Sequence, residues 1–175
     1  MERPWQRGEI PGPVRSVAIK DPKSLALMIK RAKRPIIIVG NKFPPGTNPL
    51  EIVVKIAKAA NAHIVATGVN FKALREKGYE HVYLMPALEI VDRLRDPSWR
   101  GLDGKGQYDF AVFLGFPYYY EWLLLNGLKH VAYKHLKTIS LDPYYHPNAS
   151  YSLPNLTPDK WCSYLGEIVK VLTGE

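Results

Sequence analysis

Gly40, Gly68, Gly115 and Asp142 each follow a short apolar run. These are the residue types a nucleotide site places at strand ends. Glycine there admits a phosphate or a second backbone where a Cβ would collide, and a terminal aspartate reaches a ribose hydroxyl. The four are therefore the candidate cofactor-binding residues. His146 follows Asp142 closely enough for the two to form an acid–base pair, with anchoring of the loop as the other reading, and no nucleophile accompanies them. Tyr133 and Lys137 have the spacing of a reductase pair in which lysine lowers the tyrosine pKa, but that chemistry needs both on one helix, and Lys137 falls at a strand entrance. The histidines at 63, 81, 130, 135 and 146 show no metal-binding spacing. Neither a Walker lysine loop, a nucleophile elbow nor a serine triad pattern occurs. The expectation is no catalytic residue, no metal site and no stand-alone enzyme.

The elements that must position these residues follow from the apolar runs at 35–39, 63–67, 110–114 and 138–141. They are too short for buried helices and rich in Ile, Val and Phe, so they read as parallel strands covered on both faces. Helices fall between them. Asp21-Pro22 caps one with Leu25, Met28, Ile29 and Ala32 on a single face, and another carries Ile52, Val53, Ile56 and Ala60. Asn70 caps a short helix through Glu76, residues 82–84 make a minimal strand, and Pro86 opens a helix with Leu88, Val91 and Leu94 inward. Pro117 opens a helix that starts with Tyr118-Tyr-Tyr120 and Trp122, an aromatic density that serves core packing, a partner surface or a flat ring. Thr157-Pro158 caps the last helix, whose apolar positions are Trp161, Leu165, Ile168, Val169 and Leu172. The glycines of Gly101-Leu-Asp-Gly-Lys-Gly106 precede a strand, where a dinucleotide fingerprint would link strand to helix, so they read as a structural loop. About five alternations of strand and helix give an α/β fold with a doubly wound parallel sheet.

At 175 residues, 46% of them hydrophobic, the chain is expected to form one domain over 17–175, preceded by an extended arm over 1–16 carrying three prolines and two glycines. Neither a membrane-spanning stretch nor a signal peptide is legible, and a cytoplasmic location is expected. Sequons at Asn148 and Asn155 are set aside for that reason. The single cysteine, Cys162, cannot alone hold an iron–sulfur cluster, so such chemistry must come from a partner. The net charge of +8 is spread among acids except at Lys30-Arg-Ala-Lys-Arg34, a helix end where cations favour the dipole, which argues against nucleic acid.

Several segments together carry a resemblance. Lys33-Arg-Pro35 through Val39-Gly40, Ala66-Thr-Gly68, Asp96-Pro-Ser-Trp99 with Gly101-Leu-Asp-Gly104, Tyr108-Asp109, Phe113-Leu-Gly115 and Asp142-Pro-Tyr-Tyr-His-Pro-Asn-Ala149 resemble the epsilon subunits of the archaeal acetyl-CoA decarbonylase/synthase (carbon monoxide dehydrogenase) complex. The similarity runs from about Val17 to the end and is most specific in the Trp99 loop and the Tyr-Tyr-His-Pro-Asn segment. It implies a Rossmann-like three-layer α/β/α domain of the deoxyhypusine synthase type, which in relatives holds NAD or FAD. It also implies a partner, a large alpha subunit with nickel–iron–sulfur clusters, in an alpha2-epsilon2 assembly that oxidises carbon monoxide or reduces carbon dioxide.

Two functions from different classes follow. In the first the chain is a non-metal structural subunit that stabilises the large one, docking through its arm, its aromatic helix start and its tyrosine-rich loop. In the second it binds FAD at Gly40, Gly68, Gly115 and Asp142 and passes electrons from the partner's clusters to the flavin. The first is favoured, because no glycine-rich helix entry follows Gly40. Whether the isolated chain forms a homo-oligomer is left open.

Overall fold

A computed structural model describes residues 15–174. Of the expected arm, residues 1–14 lie outside this range. Its end is already structured, with the Ser16 amide donating to the Pro147 carbonyl at 3.1 Å.

Seven parallel strands form one sheet in the order β1-β7-β6-β5-β2-β3-β4. In chain order they are β1 Val17–Ala18, β2 Pro35–Val39, β3 His63–Ala66, β4 Val82–Leu84, β5 Phe110–Leu114, β6 Lys137–Ser140 and β7 Tyr151–Ser152. β2 and β5 are buried at every position, as the unbroken apolar runs require of central strands covered on both faces. Pro35 is tolerated because it is the first residue of its strand. The four main runs all become strands, offset by a residue or so at their ends. β1 and β7 were not expected: two-residue strands are too short to leave a period, and they form by pairing, β7 along β6 and β1 along β7.

Among the described residues six helices cover the sheet: α1 Pro22–Arg31, α2 Leu50–Ala60, α3 Asn70–Glu76, α4 Ala87–Arg95, α5 Tyr118–Val131 and α6 Pro158–Thr173. Successive side chains of a strand point to opposite faces, and this splits the core in two. Ile37 and Val39 of β2 face α1, α2, α3 and α6, whereas Ile36 and Ile38 face α4 and α5. The result is the expected three-layer α/β/α Rossmann-like arrangement. Trp161 of α6 is fully buried and its indole N–H donates to the Leu141 carbonyl at 2.6 Å, which ties the last helix to the sheet.

Asp21 caps α1 as expected, accepting from the Lys23 and Ser24 amides at 3.1 and 3.0 Å. Asn70 does not cap α3. The cap position is Val69, and the Asn70 side-chain amide instead donates to the Gly40 carbonyl at 2.7 Å, joining two strand ends. Leu88 is exposed, and Ile90 takes the inward position in α4 that the spacing had given to Leu88.

Candidate functional site

The chain runs outward from β2 to β4, then returns beside β2 at β5 and runs outward the other way. The topological switch point thus lies between β2 and β5, with Gly40 and Gly115 on its two sides. Asp142 follows β6 and Gly68 follows β3, so all four candidate residues stand along one edge of the sheet.

The structure brings three of them together. The Gly40 amide donates to the Leu114 carbonyl and the Lys42 amide to the Gly115 carbonyl, both at 2.8 Å. A Cβ on Gly40 would lie 2.1 Å from the Gly115 oxygen, and one on Gly115 would lie 2.3 Å from the Phe43 ring. Gly115 also has a φ of +82°, which favours glycine. Asp142 accepts from the Gly115 amide at 2.7 Å and the Phe116 amide at 3.1 Å, one per carboxylate oxygen. Gly68 stands apart, exposed, with open space where its Cβ would be.

These commitments test the fit of FAD. A pyrophosphate at the switch point needs free backbone amides and room beside a glycine. Here the Gly40, Lys42, Gly115 and Phe116 amides are engaged by the chain itself, Phe43 occupies the space beside Gly115, and Pro44, Pro45 and Pro49 remove donors from the entry to α2. The residues at Gly40, Gly115 and Asp142 do not fit the group.

Behind Asp142 lies a buried polar cluster. Glu121 and His146 have side chains 0% and 1% exposed, with Glu121 Oε2 and His146 Nε2 3.4 Å apart but outside hydrogen-bonding geometry. The Tyr118 ring stacks on His146 at 4.3 Å. Burial, and then the neighbouring Asp142 charge, push the Glu121 pKa well up, and burial raises that of Asp142. Two adjacent buried carboxyls cannot both ionise. Asp142 has two amide donors to hold its charge, so Glu121 keeps the proton. Burial lowers the His146 pKa to about 3, leaving the ring neutral. His146 is thus a fully buried, neutral ring packed against Tyr118. Glu121 escaped the sequence reading, although its spacing with Leu124, Leu125 and Leu128 places it on the inward face of α5.

The opposite edge of the sheet carries a second cluster. Arg34 pairs with Asp103 at 2.6 Å, His63 Nδ1 shares a hydrogen bond with the Tyr108 hydroxyl, and that hydroxyl accepts from the Leu102 amide at 3.2 Å. The Arg34 hydrogen bond holds the Asp103 pKa down at about 2, while burial pushes Tyr108 up to about 12 and His63 down. Trp99 packs on Tyr108 at 5.7 Å. The distinctive Trp99 loop thus closes the amino-terminal edge, and Asp109 fixes it further by accepting from the Lys33 and Arg34 amides at 2.9 and 2.8 Å. Tyr133 and Lys137 lie on either side of the turn from α5 into β6. Among the described residues, no three His, Cys, Asp or Glu side chains converge to hold a metal ion, and no helix is long and apolar enough to cross a membrane.

What the chain does present is a surface. Residues 122–128 of α5 carry no charge, and Glu121 is turned inward. Tyr119 and Leu123, 66% and 57% exposed, stand one turn apart on the outer face. Tyr144, also exposed, sits on the loop joined to α5 by the Tyr118 hydroxyl to the Tyr145 carbonyl and by Asn148 to the Trp122 carbonyl.

A family model described as "CO dehydrogenase beta subunit/acetyl-CoA synthase epsilon subunit" matches residues 1–169, so the similarity reaches beyond Val17 to the first residue. The Methanothermobacter thermautotrophicus protein named acetyl-CoA decarbonylase/synthase complex subunit epsilon is 38% identical over 162 residues, 93% of this chain and 91% of that one. The Archaeoglobus fulgidus subunit epsilon 1 is 39% identical over 150 residues, 85% of this chain and 79% of that one. The Methanothrix soehngenii subunit epsilon is 33% identical over 172 residues, 97% and 90% of the two chains. With its parallel sheet, its closed switch point and a match over nearly its whole length, this chain belongs to the CO dehydrogenase beta subunit/acetyl-CoA synthase epsilon subunit family.

Proposed function

We propose that this chain is a docking and stabilising subunit of an acetyl-CoA decarbonylase/synthase complex, seated through the outer face of α5 on the large subunit that bears the nickel–iron–sulfur clusters. It makes and breaks no bond itself. The observation that carries this reading is the uncharged face of Tyr119 and Leu123 beside Tyr144. Aromatic and aliphatic side chains exposed together mark contact surfaces, and interface cores are poor in charge. In the neutral Glu121 and His146 beneath it we read a device that holds the helix and the 142–151 loop as one rigid platform.

The alternative reading, electron transfer to FAD, has less support, since the strand-end groups it would use are engaged by the chain's own backbone. Co-purification of the chain with the large subunit tests the first reading. A stable complex lost with Tyr119→Glu and Leu123→Glu supports it, and assembly unaffected by both overturns it. Titration with FAD, alone and with the large subunit present, tests the second: quenching that saturates near micromolar concentrations would restore the electron carrier, about 8 kcal/mol of binding that this geometry does not account for.

A further inference from the structure

At the amino-terminal ends of β1, β6 and β7, on the edge opposite the switch point, a pocket of about 570 Å3 opens beneath the last turn of α5. Its size is that of small-molecule sites, which run roughly 300–1,000 Å3. Leu128, Leu136 and Ala149 give it an apolar floor. Its polar rim has one sign. Arg15, Lys129 and Lys137 line it with His130, and among the described residues no carboxylate does. The helix dipole accounts for Lys129 and His130, which sit in the last turn of α5. It does not account for Arg15 and Lys137, which arrive from the segment before β1 and from β6. Partial burial pushes the Lys129 pKa down.

We propose that this pocket binds a small amphipathic anion, an organic phosphate or carboxylate whose apolar body lies on Leu128 and Leu136 and whose charge meets Arg15 and Lys137. The site is independent of the α5 docking face, and of the strand-end crevice that the chain fills with Phe43.

The test is calorimetric titration of the full chain, at about 0.15 M salt to screen long-range attraction, with hexyl phosphate and heptanoate against hexanol and inorganic phosphate. Saturable binding of either amphipathic anion, at least about tenfold tighter than both hexanol and phosphate, is expected. Lys137→Glu and Arg15→Glu should each weaken it about tenfold or more. Lys72→Glu, on the 87% exposed side chain of a residue in α3 at the other end of the molecule, makes the same charge change and should leave it intact. Inorganic phosphate binding as tightly as hexyl phosphate, Lys72→Glu weakening binding as much as Lys137→Glu, or no saturable binding of either anion would each overturn the proposal.

Discussion

Gly40 and Gly115 meet backbone to backbone across the switch point of the sheet, so closely that a Cβ on the first would lie 2.1 Å from the carbonyl oxygen of the second. The contact explains both glycines without a ligand. It closes the crevice in which open α/β sheets usually hold one.

Gly40→Ala pushes a methyl group into a backbone atom that has no rotamer to change. The expected loss is about 1–3 kcal/mol of stability, read from the urea unfolding midpoint. Gly115→Ala collides with the movable Phe43 ring and also strains a φ of +82°. Phe43→Ala should therefore relieve part of the Gly115→Ala defect, leaving about 1–2 kcal/mol from the backbone alone. Strict additivity of the two changes would show that Phe43 does not fill the space beside Gly115.

Glu121 keeps a proton in the folded chain that an unfolded carboxyl, with an ordinary value of 4.5, gives up. Above that value the folded state binds more protons than the unfolded one, so this group makes stability fall as pH rises towards its raised pKa. Glu121→Gln cannot ionise and removes that fall. Unfolding free energies of the two proteins between about pH 5 and pH 8 should diverge in favour of the variant. Parallel curves would mean that Glu121 is ionised in the fold.

His146 acts with the opposite slope. Neutral in the fold, with a pKa of about 3 against an ordinary 6.5, it contributes stability that is complete above 6.5 and lost as pH falls towards 3. His146→Gln should flatten the wild-type decline in that window. It should also cost stability near neutral pH through the lost stacking on Tyr118, as urea unfolding of the two chains across the acid range would record.

Asp103 is held at about 2 by Arg34, below its ordinary 3.8, so its contribution is complete above 3.8 and disappears as pH drops through about 2. Both side chains are partly solvent-facing, which limits the effect of Asp103→Asn to about 1 kcal/mol or less near neutral pH. The variant should show a smaller loss of stability between those two values. Tyr108→Phe, which strips the hydroxyl from both His63 and the Leu102 amide, should cost about 1 kcal/mol at every pH below its titration.

Tyr119→Glu and Leu123→Glu place charges on exposed positions, where folding tolerates them within about 0.5 kcal/mol. At the centre of a contact the same changes cost about 2 kcal/mol or more, roughly thirtyfold in affinity for the large subunit. Thermal unfolding of the free chain together with the dissociation constant of the complex separates the two effects.

Much of this architecture was written locally. Unbroken apolar runs at β2 and β5, Asp21 ahead of Pro22, and the inward spacing of α6 are patterns of neighbouring residues, and each formed as the pattern required. The strand-end positions of Gly40, Gly68, Gly115 and Asp142 were legible for the same reason. Only the tertiary structure decided what fills the space around them. Phe43 reaches Gly115 from a separate loop, Asp142 turns to amides at the end of the preceding strand, more than twenty residues away, and the Asn70 side chain reaches across to hold Gly40. β1 and β7 likewise have no local signature, because each is made by pairing with a neighbouring strand, β7 with β6 and β1 with β7. Residue type and period settle which segments become strands and helices. Whether a glycine at a strand end cradles a phosphate or a second backbone depends on contacts between residues far apart in the chain, and those are set only when the layers pack.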